Sequence, residues 1–567
     1  MAPDTQTTKR TMIRVTVEGS TVEVEPGATP WDVLQRDEVK KDPDDVVGVM
    51  VNNKIADLRK PLQADCRLRF FTLRSRDGLM VYQRSLTYLL VMAVREVYPD
   101  LQVYVNHTLG DGLFCELRAP RMGHGGAVPI AQRDLDKVEA AMRRLVEADL
   151  PFERTRVTLD EARAIFEANG QQDKVALLKY RENAQISMYR CGEQMNHFCG
   201  YLLPRTGLLH LFELRRCEPG FLLRYPRHTD PTELRPFVWY PKLFNVYREF
   251  EAWGKILNLE TVADLNAVIE SNGISEFIKV AEALHEKRLG AIADQITAAR
   301  DRVRIVLVSG PSSSGKTTFS KRLGVHLRVN GLRPVIISLD DFFVDRERTP
   351  RDEAGEYDFE AFETIDVALF ASTVRKLMMG EAVPMPTFDF KSGTSRRSEA
   401  LTLAPDQVLI VEGIHGLNPR LLPTIPEGMK FRVFVSALTQ LNIDYHNRIA
   451  SSDTRMVRRM VRDSQYRGYS AEETINRWPS VRRGEGKNIF PHQEEADAIF
   501  NSALTYELGV LRQLAVPTLE EITSDVVPHA EARRLLYLLS HFKEIPIDEV
   551  PRHSILREFI GGSSFSY

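Results

Sequence analysis

The chain has 567 residues, 43% of them hydrophobic, and a formal net charge of −3. Its length predicts several domains, and its hydrophobic share supplies ordinary globular cores, which excludes a wholly disordered chain. The charge excludes a dominant basic surface of the kind that drives general nucleic-acid binding. Five cysteines, Cys66, Cys115, Cys191, Cys199 and Cys217, fit a reducing compartment better than a disulfide scaffold. The first eleven residues, MAPDTQTTKRT, are polar and lack an apolar signal core. The longest apolar-rich run, around Leu86 to Val94, is too short to span a bilayer. The expectation is a soluble, cytoplasmic protein with no membrane partner.

Residues 12–75 read as a small β-rich unit. MIRVTVEG alternates apolar and polar residues as a half-buried strand does, Gly19-Ser20 turns it, and TVEVEPG returns. TPWDVLQ reads as a short helix with Thr29 near its start. VVGVMVNNKIADL is a second strand pair turned at Asn52-Asn53, and RLRFFTL closes the unit. Residues 76–225 form a second unit, opened by the long helical pattern LMVYQRSLTYLLVMAVREVY at 79–98. The order of the first unit resembles the TGS domain, a ubiquitin-like β-grasp module of threonyl-tRNA synthetases. The helix at 79–98 resembles the one that opens the synthetase's second additional domain, an α+β editing domain. That family carries an HxxxH pair on this helix and a later CxxxH. Here the first pair reads Arg84 and Tyr88, and the second Cys199 and Leu203. The resemblance therefore implies a fold kept with its editing chemistry lost, and tRNA or other RNA as a partner to test. His197 and Cys199 are candidate metal ligands, but a structural zinc site needs four ligands and a catalytic one three, so an unliganded pair is the alternative.

Residues 226–300 are mostly helical by pattern. GISEFIKVAEALHEKRLGAIADQITAAR has apolar residues at helical spacing and reads as a connector. Residues 301–510 carry the decisive segment. VRIVLV is a β-branched apolar run of the buried parallel-strand type. It leads into Gly310, Pro311, Ser312, Ser313, Ser314, Gly315, Lys316 and Thr317, a GxxxxGK[ST] loop, with Thr318 next and a helical pattern after. Such a loop aims successive N–H groups at phosphate oxygens, and the following helix N-terminus adds positive partial charge. Lys316 can reach the β- and γ-phosphates of ATP, and the Thr317 hydroxyl can sit on Mg²⁺. PVIISLDDFF is a second strand ending in Asp340 and Asp341, and VLIVEGIHGLN a third ending in Glu412. Strand ends of open α/β sheets face the ligand crevice. Glu412 suits a Mg²⁺ ligand, with a capping residue as the alternative. Arg455, Arg459 and Arg462 share one helix face, followed by Arg467. Stacked like charges want an anion, and a transferring phosphoryl group would be one; a solvated basic face is the alternative. Residues 511–567 read as a helical segment with a loose tail, GGSSFSY.

Together these segments resemble the uridine kinase and phosphoribulokinase family, over about residues 300–505. GPSSSGKTT matches its P-loop, and SLDDFF its strand-end segment, which implies Asp340 as catalytic carboxylate; Asp341 is the competing candidate. YDFEAF is similar to the family's acceptor-binding DHPxAF, which implies Asp358. VEGIHGL matches at Glu412. RRMVRDSQYRG matches RRxxRDxxxRG, which implies Arg459 as the sugar contact and Arg462 and Arg467 as phosphate contacts. The fold implied is α/β, a parallel-sheet P-loop kinase behind the β-grasp and α+β units. The activity implied is transfer of the ATP γ-phosphoryl to a primary hydroxyl of a nucleoside, with Asp340, Lys316, Arg462 and Arg467 catalytic and Thr317 and Glu412 on Mg²⁺. The family also implies a homo-oligomer. A sugar-phosphate acceptor, or an RNA-associated regulator with a nucleotide switch, are the other readings. Uridine kinases have YDFxxHSR where this chain has FDFKSGTSRR, 388–397. The tyrosine becomes Phe388, the histidine falls on Gly393 or Thr394, and the arginine past the RG becomes Tyr469. The base preference is therefore expected to be broad or altered, with Phe388 and Tyr469 left as flat acceptor-side surfaces.

Overall fold

A computed structural model describes residues 12–39, 41–42, 45–119, 126–352, 355–389 and 392–566. Residues 1–11, and Phe390 and Lys391 of the FDFKSGTSRR segment, lie outside the described residues.

Alternation of apolar and polar residues gives strands β1 (Ile13–Val17) and β2 (Ser20–Val24), with Val15, Val22 and Val24 inward. Glu18 and Gly19 join them, with φ of 48° and 93°. Positive φ at both central residues gives the turn whose twist suits a two-residue hairpin. The turn therefore lies one residue before the expected Gly19-Ser20. Helix α1 (Pro30–Leu34) starts at Thr29, which forms a capping box with Asp32. Strands β3 (Val46–Val51) and β4 (Lys54–Ala56) turn at Asn52-Asn53, and β5 (Cys66–Thr72) completes the order β2-β1-β5-β3-β4.

Helix α2 (Arg76–Val97) begins at Ser75, whose hydroxyl accepts the Gly78 N–H at 3.0 Å. After it come β6 (Gln102–Leu109), β7 (Gly112–Arg118), α3 (Gln132–Glu147), β8 (Glu153–Thr158), α4 (Leu159–Ala168), α5 (Gln172–Leu178), β9 (Gln185–Cys191), β10 (Gln194–Asn196), β11 (Glu213–Cys217) and β12 (Gly220–Arg224). They build two antiparallel sheets, β11-β12-β7-β6 and β10-β9-β8. Leu86, Leu89 and Ala93 of α2 pack with Leu135 and Val138 of α3 in one core. The connector resolves into three helices, α6 (Pro241–Ile256), α7 (Val262–Glu270) and α8 (Ile274–Ala298).

The next unit is a parallel sheet covered on both faces. Its elements are β13 (Ile305–Ser309), α9 (Lys316–Val329), β14 (Arg333–Ser338), α10 (Val367–Met378), the hairpin β15 (Val383–Asp389) and β16 (Thr394–Leu401), β17 (Gln407–Glu412), β18 (Lys430–Ser436), α11 (Ser451–Arg462), α12 (Ala471–Asn488) and β19 (Ala498–Asn501). Strand order is β14-β17-β13-β18-β19, every pair parallel. Along β13 the side chains alternate between two cores. Ile305 and Leu307 join Phe370 and Val374 of α10, while Val306 and Val308 join Phe319 and Leu323 of α9. Burial on both faces is why VRIVLV is apolar throughout.

The chain ends in α13 (Glu507–Glu520), α14 (His529–Leu539) and the single turn α15 (Arg557–Ile560). Ile545, Val550, Ile555, Leu556 and Phe559 belong to the same core as β13. The tail is not loose. Gly561 and Gly562, with φ of 84° and 69°, turn the chain back, the Ser564 N–H donates to the Arg552 carbonyl at 2.8 Å, and the Lys321 ammonium donates to the Ser566 carbonyl. Among the described residues no helix is long and apolar enough to cross a membrane.

Candidate active site

The loop after β13 turns through two left-handed residues, Ser313 (φ 59°) and Gly315 (φ 83°), and α9 begins at Lys316. The Lys316 ammonium lies across the loop and donates to the Pro311 carbonyl at 3.2 Å. The Thr317 hydroxyl donates to Glu412 Oε1 at 3.0 Å, and the Ser338 hydroxyl reaches the same oxygen at 3.3 Å. Register explains the meeting, because Glu412 sits between Ser338 on β14 and Val308 on β13. Glu412 thus faces the loop rather than capping its strand. It is 8% exposed. Burial, and then the neighbouring Asp340 carboxylate, push its pKa up to about 7. A buried carboxylate with hydroxyl partners and a second carboxylate beside it is a donor set that a hard divalent cation would relieve.

Asp340 and Asp341 lie in a 3₁₀ turn, Leu339–Phe342, directly after β14. Burial raises the Asp340 pKa, while the nearby cations Lys316, Arg467 and Arg462 oppose the rise. Asp340 thus lies within electrostatic reach of Glu412, Lys316, Arg462 and Arg467. Asp341 turns toward the hairpin and accepts the Phe388 N–H at 3.4 Å.

The arginine helix is not a solvated face. Arg455 is 2% exposed, grips both carboxylate oxygens of Glu485, and donates to the Ser312 carbonyl at 3.0 Å. Arg458, fully buried, pairs with Glu507 and donates to the Ser502 carbonyl at 2.8 Å. These two brace the loop from behind. Arg459 donates to the Ser312 hydroxyl at 2.8 Å. Asp463, 2% exposed, answers three cations, Arg459 at 3.2 Å, Arg462 at 3.6 Å and Arg467 at 3.4 Å. Burial and then Arg467 lower the Arg462 pKa to about 10, so Arg462 stays cationic at neutral pH. Sequence spacing gave no sign of Glu485 or of the role of Asp463.

On the acceptor side, Asp358 serves a local turn, its Oδ1 accepting the Glu360 N–H at 3.1 Å. Glu360, two residues on, is a second carboxylate near Arg459, at 3.9 Å, beside Asp463 at 3.2 Å. Burial, opposed chiefly by Arg459, pushes the Glu360 pKa up to about 7. Phe388 packs edge-on against Phe343 with ring centroids 5.7 Å apart. Tyr469 lies under the Arg477 guanidinium, 4.2 Å from its centroid. At Gly393, φ is +74° and an added Cβ would meet Arg346 Nε at 2.8 Å, so a side chain there is strained and must displace Arg346. The Thr394 hydroxyl is hydrogen-bonded to that of Ser392 at 2.9 Å.

Residues 305–508 match the model of the Phosphoribulokinase / Uridine kinase family. The C-terminal region is a P-loop kinase domain of that family. A solved structure described as a possible uridine kinase from Bacillus stearothermophilus is 18% identical, covers 38% of this chain and 98% of its own, and superposes with a TM-score of 0.27. The N-terminal part is similar to threonine–tRNA ligases. That of Thermotoga neapolitana is 30% identical over 199 residues, 35% of this chain and 29% of the ligase. That of Hyphomonas neptunium is 32% identical over 292 residues, 43% of each chain. The chain thus spans less than half the length of these ligases.

In the ligase-like part, the positions singled out on α2 are taken up by packing. The Arg84 guanidinium is pressed against Gly200 and donates to the Tyr201 carbonyl at 2.7 Å. The Tyr88 hydroxyl, fully buried, lies 3.0 Å from the Tyr189 carbonyl and 2.9 Å from that of Gln194. Leu203 is 1% exposed. His197 Nδ1 is 2.8 Å from the Ser187 carbonyl and Nε2 is 3.1 Å from Arg181, so both ring nitrogens are engaged. Burial, then Arg181, pull its pKa down to about 3. Cys199 Sγ lies 3.8 Å from His197 Nε2, and burial pushes its thiol up to about 12. Two such side chains fall short of the three ligands a catalytic zinc site needs and the four of a structural one. Among the described residues no group of three or more His, Cys, Asp or Glu is placed to hold a metal.

Proposed function

We propose that the protein transfers the ATP γ-phosphoryl group to a hydroxyl of a nucleoside. The observation that carries the reading is the convergence of Asp340, Lys316 and the Thr317–Glu412 pair at the P-loop mouth. The acceptor O–H would lose its proton to the Asp340 carboxylate as its oxygen bonds to the γ-phosphorus, while the bond from that phosphorus to the β–γ bridging oxygen breaks and ADP leaves. The raised pKa makes Asp340 a stronger base than an ordinary carboxylate. Lys316, Arg462 and Arg467 supply fixed positive charge where the transferring group gathers negative charge. Thr317 and Glu412 would hold Mg²⁺, which when bound neutralises the phosphate oxygens.

A nucleoside acceptor is supported by the family match and by Glu360 beside Arg459. One accepts and the other donates hydrogen bonds, which suits adjacent sugar hydroxyls. The filled position at Gly393 and the missing hydroxyl at Phe388 leave few polar groups to select a base edge, and strong selectivity needs such buried groups. The test is kcat/KM for uridine, cytidine, guanosine, inosine and their 2′-deoxy forms. The expected result is dependence on the ribose hydroxyls with broad or altered base use. Strict uridine and cytidine use, with deoxy forms accepted equally, contradicts it.

A further inference from the structure

The kinase mechanism leaves one buried contact unexplained. The Thr318 N–H lies in the first turn of α9, among the helix donors that have no partner within the helix. These are donors that a P-loop turns on phosphate. Here the Thr318 N–H and hydroxyl both bond to Glu558 Oε2, at 3.0 and 2.7 Å. The other oxygen of Glu558 is 4.0 Å from Arg462, one of the cations assigned to the phosphoryl group. A carboxylate therefore holds the loop amide and faces the arginine, both of which nucleotide phosphate would use. The rest of the segment fits over the loop as well. Ile555 covers Gly315 so closely that an added Cβ would meet its Cγ2 at 2.6 Å. The Phe559 ring lies beneath Arg458 and Arg462, at 5.0 and 5.9 Å from its centroid, and the Lys321 ammonium on α9 binds the Ser566 carbonyl.

We infer that residues 553–566 are an autoinhibitory strap, in which Glu558 competes with nucleotide phosphate for the Thr318 amide and Arg462. The inference rests on the kinase reading of the loop. One amide cannot serve a carboxylate and a phosphate together, and two anions in contact at a shielded site repel strongly. Nucleotide and closed strap are thus alternatives, and ATP binds as Glu558 withdraws. In the closed strap Ile555, Leu556 and Phe559 are fully buried. Upstream of the strap, α14 and the loop before it are tied to α11 of the kinase domain and, through Arg76 and Asn53, to the N-terminal half. Arg534 on α14 binds Asp453 at 2.7 Å, Arg76 on α2 binds Asp453 at 3.2 Å and Glu531 at 3.5 Å, and the Asn53 amide donates to the Ser524 carbonyl at 3.2 Å.

The test uses the full chain and MgATP as probe. Calorimetric Kd is measured for the wild type and for Glu558→Gln, each with and without Lys316→Ala. Hydrogen exchange of 553–566 is followed in the wild type with and without MgATP. Glu558→Gln is expected to tighten MgATP binding by about tenfold, within the usual range of coupling between competing states, and Lys316→Ala to weaken it in both backgrounds. ATP is expected to speed exchange across 553–566. Equal or weaker binding by Glu558→Gln, or slower exchange of the strap with ATP, overturns the strap while leaving the kinase reading intact. No MgATP binding by either protein overturns both. The exchange measurement on the wild type decides the matter even where the variant does not fold.

Discussion

The kinase domain and the ligase-like part each contain a cleft in which polar residues converge, and the two treat those residues differently. At the P-loop, the buried Glu412 and the mostly covered Glu360 have pKa values pushed up to about 7, and Asp340 is raised beside them. Carboxylates so placed cost stability and are relieved by a ligand of opposite charge. In the ligase-like part the residues singled out are already engaged by the protein itself. Arg84 and Tyr88 are spent on backbone carbonyls and both nitrogens of His197 are engaged. Unrelieved charge marks a cleft that awaits a ligand, and satisfied polarity marks one that has become packing.

The largest effect that could break this contrast is expected at Asp340. Asp340→Asn should lower turnover by about 10²- to 10⁴-fold, the range for loss of a general base, with ATP binding little changed. Asp341→Asn should do less, because Asp341 holds the Phe388 amide. A larger loss from Asp341→Asn in steady-state rates would reverse the assignment. Lys316→Ala comes next, with turnover down by at least ~10²-fold for loss of one preorganised charge. Wild-type rates from a well-folded Lys316→Ala protein would remove the P-loop from the chemistry.

What was legible in the sequence was local. The P-loop, the strand ends at Asp340 and Glu412, the hairpin turn at Asn52-Asn53 and the capped helix at Thr29 each depend on a few neighbouring residues. The groups that were missed come from far along the chain. Glu485 reaches the Ser312 amide across 173 residues, and Glu558 the Thr318 amide across 240. No spacing rule links such positions. Asp358 illustrates an intermediate case. The acidic segment was found, but not Glu360, two residues on, whose carboxylate lies 3.9 Å from Arg459. The tail GGSSFSY, polar and glycine-rich, reads as loose because its partners, Arg552 and Lys321, are set by the tertiary fold.

The raised carboxylates allow a sharper contrast through pH. With a folded pKa of about 7, Glu412 is protonated below that pH and cannot ligate a cation. Magnesium-dependent turnover should therefore fall as pH drops from 8 toward 6, by up to about tenfold per unit once below pH 7. Stability without magnesium should move the other way. The folded state holds its proton more tightly than the unfolded chain, so the contribution of Glu412 is lost as pH rises from the ordinary carboxylate range to about 7. Glu412→Gln should flatten its share of both trends. Denaturation of the metal-free protein and a magnesium titration across this range check them, and the same trends in Glu412→Gln as in the wild type would refute the assignment.

The smallest expected effect lies in the ligase-like cleft and tests its half of the comparison. Tyr88 has no exposure, its ring packs against Phe152 and Phe198 at 5.6 and 5.2 Å, and its hydroxyl reaches two carbonyls. Tyr88→Phe keeps the rings in place and deletes one hydrogen bond at a dry site. Such a loss costs about 1–2 kcal/mol, because a buried acceptor is left short of a donor. In the full chain that should speed hydrogen exchange of α2 and β9 amides that open together by roughly tenfold, since about 1.4 kcal/mol is a factor of ten in an equilibrium. Phosphoryl transfer should be unchanged, as no residue of the P-loop site touches this hydroxyl. If Tyr88→Phe instead lowered turnover while exchange stayed the same, the hydroxyl would be serving a ligand rather than the fold, and the reading of this cleft as packing would fail.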